Sequence, residues 1–244
     1  MRIRLMGLLF VLFAGFSASI NVVQADVVQY YNELQKIKHL GLDYPLRREG
    51  KQWLTTNGEW HKAIPVTVDL KNGYMFFTDE GTGGGNFDTQ VVLYRKSDKT
   101  PLIGIVENGY DPPYPGHANV RFFSLDSKNW QNDTVWAWPK ISIDDFLTSD
   151  MTIADLRAIK AVGAAVYVRL PRKGTSATAY LIINEDIAQA VCRGDSSIVV
   201  GNVAPYQDYC HRLKGRMFNR IEVLWNKKEG RFLAGEKSRG PGPD

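Results

Sequence analysis

The stretch Ile64-Pro65-Val66-Thr67-Val68-Asp69-Leu70-Lys71-Asn72-Gly73-Tyr74-Met75-Phe76-Phe77-Thr78 decides the fold. Val66, Val68 and Leu70 alternate with polar neighbours, the period of a strand with one buried face. Lys71-Asn72-Gly73 then supplies an Asn-Gly turn, whose central residues tolerate the positive φ that a tight hairpin needs. Tyr74 to Thr78 answer as the return strand. A connection this short leaves no room for a crossover helix, so the two strands run antiparallel.

The same pattern continues downstream. Strands are expected at Asp88 to Arg95, Leu102 to Glu107, Ala118 to Leu125 and Thr134 to Trp138, with turns at Lys96-Ser97-Asp98-Lys99 and Asp126-Ser127-Lys128. Helical spacing then replaces alternation. Ser142-Ile143-Asp144-Asp145 reads as a capped start leading to Phe146 and Leu147. Thr152 to Ala161 carries Ile153, Leu156, Ile159 and Lys160 at helical spacing and ends at Gly163. Beyond it, Ala165 to Leu170 and Ala177 to Ile183 flank Pro171 to Thr175 as a hairpin, and Asn184 opens a short helix to Cys192. Ser197 to Gly201 reads as a short strand, and Arg220 to Trp225 with Arg231 to Leu233 as a last hairpin.

Upstream, Asp26 to Leu40 repeats apolar residues at i, i+3 and i+4, with Asp26 as cap and Gly41 as stop. Residues 43–61 read as irregular, with Trp53 and Trp60 anchoring them to the body. The last residues, 236–244, have nothing to bury and are expected to be disordered. The class is therefore α+β, dominated by antiparallel β-meanders, with an N-terminal helix and a short helical connection. The organisation reads as 1–25 leader, 26–63 helix and irregular segment, 64–139 first β-rich stretch, 140–163 helical connection, 164–235 second β-rich stretch and 236–244 tail. Two β-units are one reading of this plan, and chance likeness between hairpins is the other.

The first twenty-five residues bear on where the protein acts. Arg2 and Arg4 precede a twelve-residue apolar run, Leu5 to Phe16, and Val23-Gln24-Ala25 closes the segment with a small-x-small pattern. That order predicts a secretory leader cleaved after Ala25, giving an exported protein, periplasmic or secreted. The run falls short of the ~20 residues that span a bilayer. The full chain carries a formal +4, and losing Arg2 and Arg4 leaves +2 on the mature chain. That charge supports neither a nucleic-acid footprint nor a polybasic membrane surface, and with no second long apolar run in the sequence no stable membrane insertion is expected after cleavage. Cys192 and Cys210 form an even pair, expected to bridge in an oxidising compartment. A Cys-His metal site with His211 is the weaker reading, because a structural zinc wants four ligands.

Three segments carry candidate chemistry. The Gly-rich segment around residues 79–88 lacks the lysine and following helix of a phosphate loop. Its Asp79, Glu80, Asn86 and Asp88 are oxygen ligands of the kind calcium takes, but their spacing departs from the EF-hand pattern. A hairpin loop with solvated acids and no cofactor is the expectation. The second segment, Glu107 to His117, is stiffened by three prolines and offers Tyr110, Asp111, Tyr114 and His117 as a recognition loop. A catalytic reading pairs Glu107 or Asp111 with His117 as acid and base. The third is Trp136 with Trp138, which at i and i+2 of a strand share a face, either filling the core or stacking on sugars.

No Gly-x-Ser-x-Gly, Ser-x-x-Lys or His-Glu-x-x-His occurs in the chain. The expectation is a non-catalytic, inhibitor-like or binding protein of the cell envelope that recognises a protein or glycan, with its oligomeric state left open. A secreted hydrolase using Glu107 or Asp111 with His117 is the alternative. A structural envelope protein that pairs through an edge strand is a third reading.

Overall fold

The computed structural model describes residues 25–42, 44–56, 63–80, 85–110, 116–127, 129–194 and 207–243. Two antiparallel sheets organise them. Sheet I runs in chain order through β1 (Arg47–Glu49), β2 (Gln52–Thr56), β3 (Ala63–Asp69), β4 (Tyr74–Asp79), β5 (Asn86–Arg95), β6 (Pro101–Tyr110), β7 (His117–Asp126) and β8 (Asn129–Asn132). Sheet II comprises β9 (Ala165–Arg169), β10 (Ala177–Ile182), β11 (Arg220–Asn226) and β12 (Arg231–Ser238), ordered β12-β11-β10-β9. The helices are α1 (Val27–Gln35), α2 (Thr134–Ala137), α3 (Ile153–Ala161) and α4 (Glu185–Cys192). The chain is an α+β protein built from antiparallel meanders.

The hairpin forms, but through the four-residue connection Leu70 to Gly73 with positive φ at Gly73 and not at Asn72, so β3 ends at Asp69 and Leu70 is exposed. Thr67 pairs with Phe76 and Asp69 with Tyr74. Gly73 sits at φ +63°, and a Cβ there would stand 3.1 Å from Leu93, so positive φ and close approach both favour glycine. The Asp69 carboxylate holds the turn by accepting from the backbone and side-chain N–H groups of Asn72.

The centre of sheet I is buried on both faces, as the apolar stretches Val91 to Leu93 of β5 and Leu102 to Val106 of β6 require. One face is covered by α1. Val27, Tyr31 and Leu34 pack on Met75, Phe77, Val91, Ile103, Ile105 and Phe123. Asp26 caps α1 by accepting from the Gln29 N–H at 2.9 Å. The other face meets sheet II: Val92, Leu102, Val106 and Phe122 lie against Val168, Ala179, Ile221, Val223 and Phe232. Ala158, Ile159 and Val162 of α3 and its C-terminal cap extend the same core.

Two buried amides join the sheets. Asn108 donates to the Val168 carbonyl at 2.9 Å and accepts from the Val168 N–H at 3.0 Å. Gln90 accepts from the Leu170 N–H at 2.8 Å and donates to the Val168 carbonyl at 3.3 Å. Strand β9 lies at the border of sheet II, and these side chains satisfy backbone groups that an edge strand would otherwise leave unpaired.

Several expectations change. Residues 47–56 form the β1–β2 hairpin instead of an irregular segment, turning at Gly50, and Trp53 packs on the α1 side as an anchor. Glu107 to Tyr110 extend β6 instead of opening a loop, because Asn86 and Phe87 lengthen β5 and pair with Tyr110 and Gly109. Thr134 to Ala137 form a helical turn, not a strand. Asn132 Oδ1 accepts from the N–H and hydroxyl of Thr134, and the Phe122 N–H donates to Thr134 Oγ1, so the chain folds back over β7. The tail is ordered further than composition suggested. Strand β12 runs to Ser238, Asn219 and Gly240 exchange two hydrogen bonds, and Arg239 donates to the carbonyl oxygens of Arg216 and Met217. A π-helical turn at Tyr209–Leu213 carries no signal that periodicity would reveal. Trp60 and the strand expected at 197–201 lie outside the described residues.

Candidate functional site

Sheet II covers β5 to β7 and leaves the same face of β3 and β4 open. Along β4, Tyr74, Phe76 and Thr78 alternate onto that open face, and Asp88 and Gln90 do so along β5. Strand β9, docked by Asn108 and Gln90, forms a wall beside them. The result is a groove of about 470 Å³. Tyr74 and Phe76 make its floor, Tyr167 and Asp88 its inner wall, and Arg169 and Arg172 its rim.

Tyr167 donates to Asp88 Oδ2 at 3.3 Å, and Thr78 donates to Asp88 Oδ1 at 2.7 Å. Burial, followed by the Asp88 charge, pushes the Tyr167 phenol up to about 12. Burial also raises Tyr74, with Arg169 and Arg172 pulling the other way. Both phenols stay protonated at neutral pH. They offer hydroxyls and ring faces, not general bases. Arg172 Nε donates to Asp69 Oδ2 at 2.9 Å and ties the β9–β10 connection to the end of β3. Asp69 is held down at about 2, first by the Asn72 side chain and then by Arg172. The groove therefore combines flat aromatic faces with cationic forks, an arrangement suited to stacking and to acidic or hydroxylated ligands.

The residues singled out from sequence are distributed differently. Asp88 belongs to the groove, as the acceptor for two hydroxyls. Asp79 projects from the opposite face of sheet I, is buried, and accepts from the Tyr44 hydroxyl at 2.9 Å. Glu80 is exposed just after β4, and Asn86 is exposed at the start of β5. The four do not converge as a calcium shell, and no group of three or more His, Cys, Asp or Glu among the described residues is arranged to hold a metal.

Glu107 accepts from Arg121 at 2.8 Å and from Asn119 at 3.0 Å. His117 opens β7 opposite Gly109, with its ring 6.4 Å from that of Phe87. Glu107 is thus engaged by a cation and an amide. Tyr110 closes β6, while Asp111 and Tyr114 lie outside the described residues.

The two indoles part company, because i and i+2 on a helical turn do not share a face. Trp138 stacks on Phe122 at 5.5 Å and packs on Phe232 at 5.3 Å, inside the core. Trp136 is 58% exposed, beneath the Arg231 guanidinium at 5.0 Å. Trp130 lies apart from both, edge-on to Tyr30 of α1 at 5.4 Å. Cys192 and Cys210 are joined in a disulfide. A smaller apolar hollow of about 340 Å³ near Met217 is bordered by Arg239, whose guanidinium is committed to backbone carbonyls.

Sequence reasoning did not single out Tyr74, Tyr167 or Arg169, and placed Arg172 only within the Pro171 to Thr175 hairpin connection. The usable signal was Gln90 and Asn108, polar residues at inward positions of apolar strands, which mark where another backbone docks.

No family model matches the chain, and no curated protein matches it. Among solved structures, it is similar to a domain of an uncharacterized protein from Porphyromonas gingivalis. The identity is 12% over 84% of this chain and 86% of that chain, with a TM-score of 0.44.

Proposed function

We propose that this is an exported, non-catalytic binding protein of the cell envelope, periplasmic or secreted, whose groove between β4 and β9 recognises a glycan bearing acidic groups. The observation that carries the reading is the groove itself: ring faces of Tyr74, Phe76 and Tyr167, phenols kept protonated, and Arg169 with Arg172 at the rim. Sugar rings present apolar faces that stack on aromatics and hydroxyls that need fixed partners, and an acidic substituent suits a guanidinium fork. The leader pattern of residues 1–25 and the Cys192–Cys210 bridge support export. A protein segment is the other ligand class to be tested. Hydrolysis by Glu107 with His117 has less support, because Glu107 is already held by Arg121 and Asn119.

The test is binding of the exported chain to an array of neutral and acidic glycans, alongside capture from an envelope extract. Wild type is compared with Tyr74→Ala combined with Arg169→Ala, and with the exposed turn residue Lys51→Ala as a surface control. The expected outcome is at least tenfold weaker glycan binding in the double variant, an unchanged control and closely similar melting temperatures. Glycan binding that ignores the double variant would remove the groove from the function. Capture of a protein alone, lost in the same variant, would keep the site and replace the ligand.

A further inference from the structure

A second cleft, of about 650 Å³, lies where Ala25 and Asp26 meet the β3–β4, β9–β10 and β11–β12 turns. Its charged lining is Lys71, Arg95 and Lys227 against one acid, Asp26. The Asp26 carboxylate is occupied in capping α1. One polar group here lacks a partner, the buried Nη1 of Arg95. A buried donor left unpaired calls for an acceptor. The partner that Arg95 does have is the carbonyl oxygen of Ala25, accepting from Nη2 at 3.0 Å.

That carbonyl belongs to the residue after which the leader is expected to be cut. We propose that cleavage between Ala25 and Asp26 opens an oxyanion site centred on Arg95, taking a phosphate or carboxylate group. Hydrolysis of the peptide bond carries the Ala25 carbonyl away with the leader and leaves a new ammonium group on Asp26. Arg95 then has neither terminal nitrogen paired. The new ammonium stands at the positive end of α1, where a cation is disfavoured and an anion favoured. Lys71 and Lys227 add to the same field. In the uncut chain the Ala25 carbonyl stands in for the anion, so the site exists only after processing. The inference rests on the export reading above and is independent of the groove.

The experiment uses the full chain expressed with its leader and recovered from the exported fraction, with its start fixed by intact mass. Binding of inorganic phosphate and of D-glucuronate is followed through the backbone amide signals of Gly73, Arg95 and Lys227. The comparison is a form processed one residue earlier, which keeps Ala25, together with Arg95→Gln and Lys227→Ala. The expected result is a mature start at Asp26 and saturable binding of at least one probe. Binding should be at least tenfold weaker in the Ala25-retaining form and in Arg95→Gln, and weaker by a smaller factor in Lys227→Ala, an exposed position whose replacement leaves the fold intact. The tighter probe tells phosphate from sugar acid. A different mature start, no binding of either probe, or equal binding with and without Ala25 would each overturn the proposal. Loss of glycan binding in the groove variant with phosphate binding intact would show that the two sites stand or fall separately.

Discussion

Asn108 shows how one side chain can fix the relation between two sheets. Its amide copies the donor–acceptor pair of a neighbouring strand and engages both backbone groups of Val168. Its partner Gln90 reaches the adjacent Leu170. Neither amide is exposed by more than a few per cent, so each bond forms away from competing water. Replacing Asn108 with Leu fills the space and leaves the Val168 N–H without this partner, while the Val168 carbonyl keeps Gln90 at 3.3 Å. The expected cost is about 1–3 kcal/mol, the scale of one orphaned buried group, measured by denaturant unfolding. A loss below ~0.5 kcal/mol would mean that β9 is held by apolar packing alone. The groove should report the same change, since β9 is its wall: Asn108→Leu should weaken ligand binding without touching the ligand.

At the scale of elements, α3 is fixed by its first turn. Thr152 and Asp155 form a reciprocal capping box, in which Asp155 Oδ2 accepts from the Thr152 N–H at 2.7 Å and Thr152 Oγ1 accepts from the Asp155 N–H at 3.3 Å. The other carboxylate oxygen takes the Arg212 guanidinium and so ties α3 to the π-helical turn. The Thr152 backbone bond, followed by Arg212, holds the Asp155 carboxyl below the usual range. A depressed carboxylate contributes stability that is present above the unfolded-state value near 4 and is lost as pH falls through the folded value. Asp155→Ala should therefore lower stability at neutral pH by about 1–2 kcal/mol, the cost of a lost cap. It should also flatten the fall in stability on acidification below pH ~4. An acid limb identical to that of wild type would assign that sensitivity to other carboxylates. The contrast with α2 is instructive. Val135 and Trp136 both favour a strand by propensity, and local bonds from Asn132 to Thr134 override them.

For the whole molecule, two apolar cores lie on either side of one sheet, so sheet I is the common wall of the structure. The disulfide sits outside both sheets, joining the end of α4 to the π-helical turn across 18 residues. Closing a loop of that length stabilises by about 3 kcal/mol in the chain-entropy model. The purified protein should show no titratable thiol after denaturation, and Cys192→Ser with Cys210→Ser should lose up to ~3 kcal/mol while keeping the two-sheet core. Two free thiols would remove the oxidising-compartment argument along with the bridge.

What the sequence determined by itself is what depends on near neighbours. Alternation along 64–78, the Asn-Gly turn and the Asp26 and Thr152 caps specify antiparallel hairpins and helix starts, because the deciding contacts lie within a few residues. Tertiary structure alone decided which strand crosses which face. Tyr74 and Tyr167 are ninety-three positions apart in the chain and share a groove only because Gln90 and Asn108 dock β9 over sheet I. The parting of Trp136 from Trp138 likewise follows from the chain folding back over β7. The groove is a product of incomplete coverage of one sheet by another, and a linear pattern of residues carries no record of where coverage stops.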